Sequence, residues 1–249
     1  MRTVVISQPM LFPWVGQFEQ MKLADVFVHY DDVQFSKGSF TNRVQLKTAS
    51  GPAWLTIPLH KMRLGQPIAE IEADGTDWPR RHLGLLGDAY REARQVDEMI
   101  GLVRSVYAGA GDEPTATAGR GRSLAELIID SEEVLAGSLG IAADTEFVRA
   151  SGLGIAGRGW ERVLAIVRHF GGDVYVTGHG ARHYLDAAAF EAAGVEVRYM
   201  DYACRPYAQL HGEFTPYVSA LDALANLGSA AASVLSPRTV GWRRFATDS

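Results

Sequence analysis

Apolar residues in this chain form two kinds of run. Some are short and dense and stop at a polar residue, while others recur with helical spacing over a dozen positions. The N-terminal part is of the first kind. A strand is expected over Thr3 to Ser7, centred on Val4–Ile6, and another over Val26–Tyr30, with a short helix, Gln17–Leu23, between them behind the turn Pro13-Trp14-Val15-Gly16. Two further strands, Arg43–Lys47 and Trp54–Leu59, flank a Ser50-Gly51-Pro52 turn, and the weak alternation of Ile68–Ile71 predicts an edge strand. From Trp78 the period becomes helical. Pro79 suits a first helical turn, and Leu83, Leu86, Tyr90 and Ala93 share one face. A second helix, Val96–Tyr107, runs into a Gly-containing loop over 109–121. Ser123 with Glu126 three residues on is a capping-box signature for a helix reaching about Leu139.

The last third alternates. Strands are expected at Thr145–Ala150, Asp173–Thr177 and Val195–Tyr202. One helix should run through Phe170 after the Gly-rich Ser151–Gly159 stretch, and another over Ala181–Ala193. Strand–helix–strand order of this kind gives a parallel sheet. The fold expected is therefore α/β, Rossmann-like and mostly parallel, with residues 1–249 forming one domain and 78–140 a helical insertion or lid within it.

Composition narrows the class. The chain has 249 residues, 47% hydrophobic and 21% charged, as in a globular protein with a substantial core, and its net charge of −5 offers no general attraction to nucleic acid or anionic lipid. No stretch approaches the roughly 18 apolar residues of a membrane helix, and no signal-peptide pattern opens the chain. The single cysteine, Cys204, leaves neither an internal disulfide nor a Cys-based zinc site. These features predict a cytoplasmic protein with no nucleic-acid or membrane partner. Of His60, His179, His183 and His211, only His179 and His183 are spaced four apart, and His179 lies in the Gly turn, so no metal is expected.

Polar residues collect where strands should end, which in α/β proteins is where ligands bind. Gln8, Trp14, Asp31, Asp32, Gln34, Asn42 and Arg43 form one such set. Thr177-Gly178-His179-Gly180-Ala181-Arg182-His183 forms a second, between a strand and a helix, where free amides favour an anion. Tyr202, Arg205, Tyr207, Gln209 and His211 form a third, ahead of a helix that Ser219 should cap and Gly228 should end. Gln8-Pro9, Pro13-Trp14-Val15-Gly16, Asn42-Arg43 and Trp54-Leu55-Thr56-Ile57-Pro58, with a Gly-rich turn into Tyr184-Leu185-Asp186 and a Ser-x-Leu-Asp-x-Leu-x-Asn-x-Gly stretch from Ser219 to Gly228, together resemble the WbqC-like family. That family is named for a protein of O-antigen biosynthesis, so the resemblance implies a role in surface-polysaccharide or natural-product pathways. The opening strand, Gly-containing turn and helix are also similar to the start of a nucleotidylyltransferase core. There, however, the turn carries His-x-Gly-His, and here it reads Trp14-Val15-Gly16-Gln17.

The inventory holds anion binders (Arg43, Arg182 and the amides of Gly178 and Gly180), candidate bases (Asp32, His60, His179) and side chains suited to substrate contacts (Gln8, Trp14, Gln34, Asn42, Tyr207, Gln209). It has no Gly-x-Ser-x-Gly elbow and no redox-cofactor motif. This suits displacement at an activated centre without a cofactor: a transferase or cyclase forming a C–N or amide bond as an anionic or thioester group leaves. The exposed-helix pattern of Arg80, Arg81, Arg91, Arg94 and Arg104 would suit an acidic carrier protein or partner enzyme. Two alternatives remain open: a non-catalytic partner of a biosynthetic enzyme, and a nucleotidylyltransferase-like enzyme lacking the His-x-Gly-His motif.

Overall fold

A computed structural model describes residues 1–108, 122–141 and 143–247. The loop expected at 109–121 lies outside the described residues. The elements run β1 (Thr3–Ser7), α1 (Val15–Leu23), β2 (Val26–His29), β3 (Arg43–Thr48), β4 (Gly51–Thr56), α2 (Trp78–Tyr90), α3 (Val96–Ala108), α4 (Leu124–Ser138), β5 (Glu146–Arg149), α5 (Gly159–His169), β6 (Val174–Thr177), α6 (Ala187–Ala192), β7 (Glu196–Met200), α7 (Leu221–Leu227), β8 (Thr239–Gly241) and α8 (Trp242–Thr247).

Six strands form one sheet in the order β5-β2-β1-β6-β7-β8, and β3 and β4 form a separate antiparallel hairpin. All pairings in the large sheet are parallel except β7 with β8. This is a Rossmann-like α/β arrangement. The dense apolar runs follow from it, because the central strands are buried on both faces. Val5, Phe27 and Met200 point into a core shared with α1, the β3–β4 hairpin, α2, α3, α4 and α7. Val4, Ile6, Val26, Val28, Tyr175 and Val197 point the other way, onto α5, α6 and α8. Helices α2 to α4, in the expected insertion, pack into the same cluster as the sheet.

Local chemistry sets the helix ends. Ser123 Oγ accepts from Glu126 N at 3.2 Å while Glu126 Oε2 accepts from Ser123 N at 2.7 Å, the capping box read from the sequence. That backbone hydrogen bond holds the Glu126 carboxyl below its usual range. Gly228 ends α7 at φ +56°, a left-handed position suited to glycine.

Two expectations are corrected. Residues Ile68–Glu70 form a 3-10 turn rather than an edge strand. Ile68 N donates to Val33 O and Ala69 N to Asp31 O, which tethers the segment across the end of β2 instead of along a strand. The helix expected over Ala181–Ala193 is broken in two. A 3-10 turn covers His179–His183, and α6 starts afresh at Ala187 because Asp186 Oδ1 accepts from Ala189 N at 3.0 Å.

Candidate functional site

The strand order places β1 and β6 side by side at the point where the chain reverses direction across the sheet. From β1 it winds outward through β2 to β5, then returns to β6 and winds outward through β7. The C-terminal ends of β1 and β6 therefore flank a switch-point crevice, the usual ligand position in such sheets. The register pairs Val5 with Val176, so Gln8, just past β1, and Gly178 and His179, just past β6, all leave the sheet at this end.

At this crevice the structure brings together Gln8, Trp14, Gly178, His179 and Tyr202. Gln8 is exposed, and its side chain makes no hydrogen bond among the described residues. His179 Nε2 lies 2.7 Å from Met200 O. A carbonyl only accepts, so Nε2 carries the hydrogen, and in the neutral ring Nδ1 is left as an acceptor. The imidazole is also 5.2 Å from the Tyr202 ring and 4.9 Å from Phe245, centroid to centroid. Tyr202 OH accepts from Gln20 Nε2 at 2.8 Å, and burial raises its phenol pKa, so it stays protonated at neutral pH. A Cβ on Gly178 would lie 3.2 Å from Tyr202 OH, so any side chain there must push the Tyr202 hydroxyl aside by a few tenths of an ångström. Trp14 packs 4.8 Å from Tyr202, its ring laid over Gly16.

The other expected residues lie elsewhere. Both carboxylate oxygens of Asp32 are held by Arg162, at 2.9 and 2.5 Å, and Arg162 also covers the Tyr30 ring. Asp32 thus braces the end of β2 against α5. Asp31 is fully buried and accepts from Arg149 Nε, Ser151 N and Ser151 Oγ at 2.8–2.9 Å. His60 is exposed beside Asp74, 3.5 Å away, and is not among the strand-end residues. Asn42 Nδ2 donates to Ile57 O at 2.8 Å, and Arg43 donates to Gly38 O while stacking on Trp54 at 4.3 Å, so both secure the hairpin. Gln34 is exposed in a backbone bridge to Pro67. Arg182, beside His183, lines an open cleft of about 860 Å³ with Tyr184, Tyr199 and Trp242. Gly180 has no neighbour that a side chain would strike.

Tyr207 and Gln209 join a different, interior cluster. Tyr207 OH donates to Asp222 Oδ1 at 2.8 Å. Gln209 Nε2 donates to Tyr207 OH at 3.0 Å, and Lys47 Nζ donates to Gln209 Oε1 at 3.2 Å. Asp222 is fully buried, faced by the Tyr90 hydroxyl as well as that of Tyr207, and burial pushes its carboxyl pKa up.

One buried network escaped the sequence reading. His29 at the end of β2 has Nδ1 3.0 Å from Glu132 Oε2 and Nε2 3.0 Å from Glu133 Oε1. Burial pulls the imidazole pKa down, but the contacts with Glu132 and Glu133 outweigh it and hold His29 at about 9. Glu132 Oε1 accepts from Met10 N at 3.0 Å and Gln17 Nε2 at 3.4 Å, and Gln17 Oε1 accepts from Gln20 Nε2. The chain of contacts therefore reaches Tyr202 at the crevice. Its signal in the sequence is the adjacent pair Glu132-Glu133, of which Glu132 falls among the buried positions of α4. Among the described residues, no cluster of three or more His, Cys, Asp or Glu is placed to hold a metal ion, and no helix is long and apolar enough to cross a membrane.

A Rossmann-like sheet with a polar crevice at its switch point defines the class to which the chain's relatives can be compared. The chain belongs to the WbqC-like protein family, which it matches over residues 8–234. It is 32% identical over 237 residues to "Uncharacterized protein Rv1507c" of Mycobacterium tuberculosis, a match covering 94% of this chain and 98% of the relative. No solved structure matches.

Proposed function

We propose that this protein is a cofactor-independent biosynthetic transferase or cyclase that forms a C–N or amide bond at the β1–β6 crevice. The observation that carries the reading is the orientation of His179. Its Nε2–H is committed to Met200 O, which leaves Nδ1 as an acceptor at the C-terminal end of β6, and the exposed Gln8 follows the neighbouring strand β1. In the proposed reaction an amine attacks an activated carbonyl and Nδ1 takes the amine proton as the C–N bond forms. The bond to a thiolate or phosphate-type leaving group breaks, and the proton passes on to that group. Gln8 and the amides at the start of the His179–His183 turn would hold the developing oxyanion, and Arg182, in the cleft that shares Phe245 with His179, would serve an anionic portion of the substrate. The exposed Arg80, Arg81, Arg91, Arg94 and Arg104 would suit delivery by an acidic carrier protein.

The test uses the purified chain alone with S-acetyl-N-acetylcysteamine and hydroxylamine or glycine as acceptor, following free thiol and amide together. Stoichiometric release of both, lost in a folded His179→Ala variant, is the expected result. Thiol release without amide, or equal rates in His179→Ala, would overturn the reading.

A further inference from the structure

A second cavity adjoins the crevice, and its chemistry is the opposite. It encloses about 260 Å³ between the segment before α1, the β3–β4 hairpin and the residues before α7, with Met10, Trp14, Phe40, Val44, Tyr217 and Val218 among its walls. No charged side chain lines it. Gln45 contributes one amide and Tyr217 one hydroxyl. The volume lies between that of engineered cavities of about 150 Å³, which take a benzene ring, and the roughly 300 Å³ lower end of drug-sized sites.

Trp14 joins the two spaces. It lines the apolar cavity, and its ring is 4.8 Å from Tyr202, which is itself 5.2 Å from His179. The ring cannot tilt toward α1 without meeting that helix, because it already lies where any Cβ on Gly16 would fall, 2.3 Å from Trp14 Cη2. A row of aromatic rings thus connects an uncharged cavity to the acceptor nitrogen. Phe40 and Tyr217 at the rim are 49% and 72% exposed, and Phe40 packs 5.9 Å from the Trp54 ring.

We infer that this cavity is a substrate subsite for an uncharged apolar group, a short alkyl chain or a single aryl ring, attached to the molecule whose reactive carbon is presented to His179. The inference rests on the transferase reading of the crevice for the identity of the attached head group. The binding of the apolar group itself does not depend on turnover. Such a group gains from burial against Trp14 and Val44, whereas a charged group would be desolvated without a partner.

The experiment measures dissociation constants by thermal shift for the S-acetyl, S-butyryl, S-hexanoyl and S-benzoyl thioesters of N-acetylcysteamine. Wild-type protein, Phe40→Ala/Tyr217→Ala and Val44→Phe are compared. The double variant removes exposed rim side chains and should fold normally. Val44→Phe fills the cavity, and its melting curve reports its folding. In wild type, affinity should rise from acetyl to hexanoyl or benzoyl by up to about fourfold per added methylene. The double variant should flatten that rise and leave acetyl binding unchanged. Equal binding across the series in wild type would overturn the inference, and so would a rise that survives undiminished in the double variant. A chain-length dependence without amide formation would retain the subsite and remove the transferase reading. Amide formation without chain-length dependence would do the reverse.

Discussion

His29 and Glu132 meet 3.0 Å apart in the interior, and neither side chain is exposed to solvent. The folded-state pKa of His29, about 9, lies above its ordinary value of 6.5. Its contribution to stability is therefore fully present below pH 6.5 and is lost as pH rises through 9. The window follows from the groups that face the ring, Glu132 and Glu133 from α4 and the stacked Phe147 from β5. Burial raises the Glu132 carboxyl pKa and offsets part of this contribution, and the melting temperature should still fall between pH 7 and 10. NMR of the His29 imidazole should titrate near pH 9. A midpoint below 7 would contradict the account.

Trp14 and Gly16 supply a prediction whose sign depends on background. In wild type, Gly16→Ala places a Cβ 2.3 Å from the Trp14 ring and should cost about 1–3 kcal/mol. In a Trp14→Ala background the clash is gone, and the same change should stabilise α1 by about 0.5–1 kcal/mol through the ordinary preference of helices for Ala over Gly. Urea denaturation of the four proteins measures this, and a cost that is the same in both backgrounds would rule it out.

Asp222 is buried against the hydroxyls of Tyr90 and Tyr207, and its pKa is raised by burial. The charged form is thus disfavoured in the folded protein, and stability associated with the protonated form is lost as pH rises through the folded-state pKa. Asp222→Asn keeps an acceptor for Tyr207 OH and carries no charge to bury. The difference in melting temperature, Asn variant minus wild type, should grow from pH 4 to pH 7. Asp222→Ala should be clearly destabilising at both, because Tyr207 OH loses its acceptor while Asn226 Nδ2 keeps only the Asp222 backbone carbonyl. A difference that shrinks toward pH 7 would show that Lys47 nearby makes the buried charge favourable.

How far the sequence could be read varied from element to element, for physical reasons. β1, β2 and β6 are buried on both faces, so their dense apolar runs are visible without any partner. The Ser123–Glu126 cap was equally legible because it is local in the chain. The short β8 and the helix after it were not expected. Three residues, Thr239-Val240-Gly241, are too few to show a period, and they form a strand only by pairing with β7. At the site, Gln8, Trp14, Gly178 and His179 meet because each follows or precedes a strand of the switch point. Tyr207 and Gln209 also follow a strand, but the chain beyond β7 turns inward to Lys47 and Asp222. Asp32 was read as a base from its place at the end of β2. Its engagement by Arg162 on α5, 130 residues away, is a tertiary fact that spacing does not encode.

The most direct test of the account compares His179→Ala with Asp32→Asn and His60→Ala in the thioester–amine reaction, at equal folded concentration. If His179 is the base at the crevice, its variant should lose about 10²- to 10⁴-fold in rate. His60→Ala should be unchanged, and Asp32→Asn should lose stability before it loses turnover per folded molecule. Full activity in His179→Ala, with the loss appearing in Asp32→Asn or His60→Ala instead, would contradict the placement of the reaction between β1 and β6.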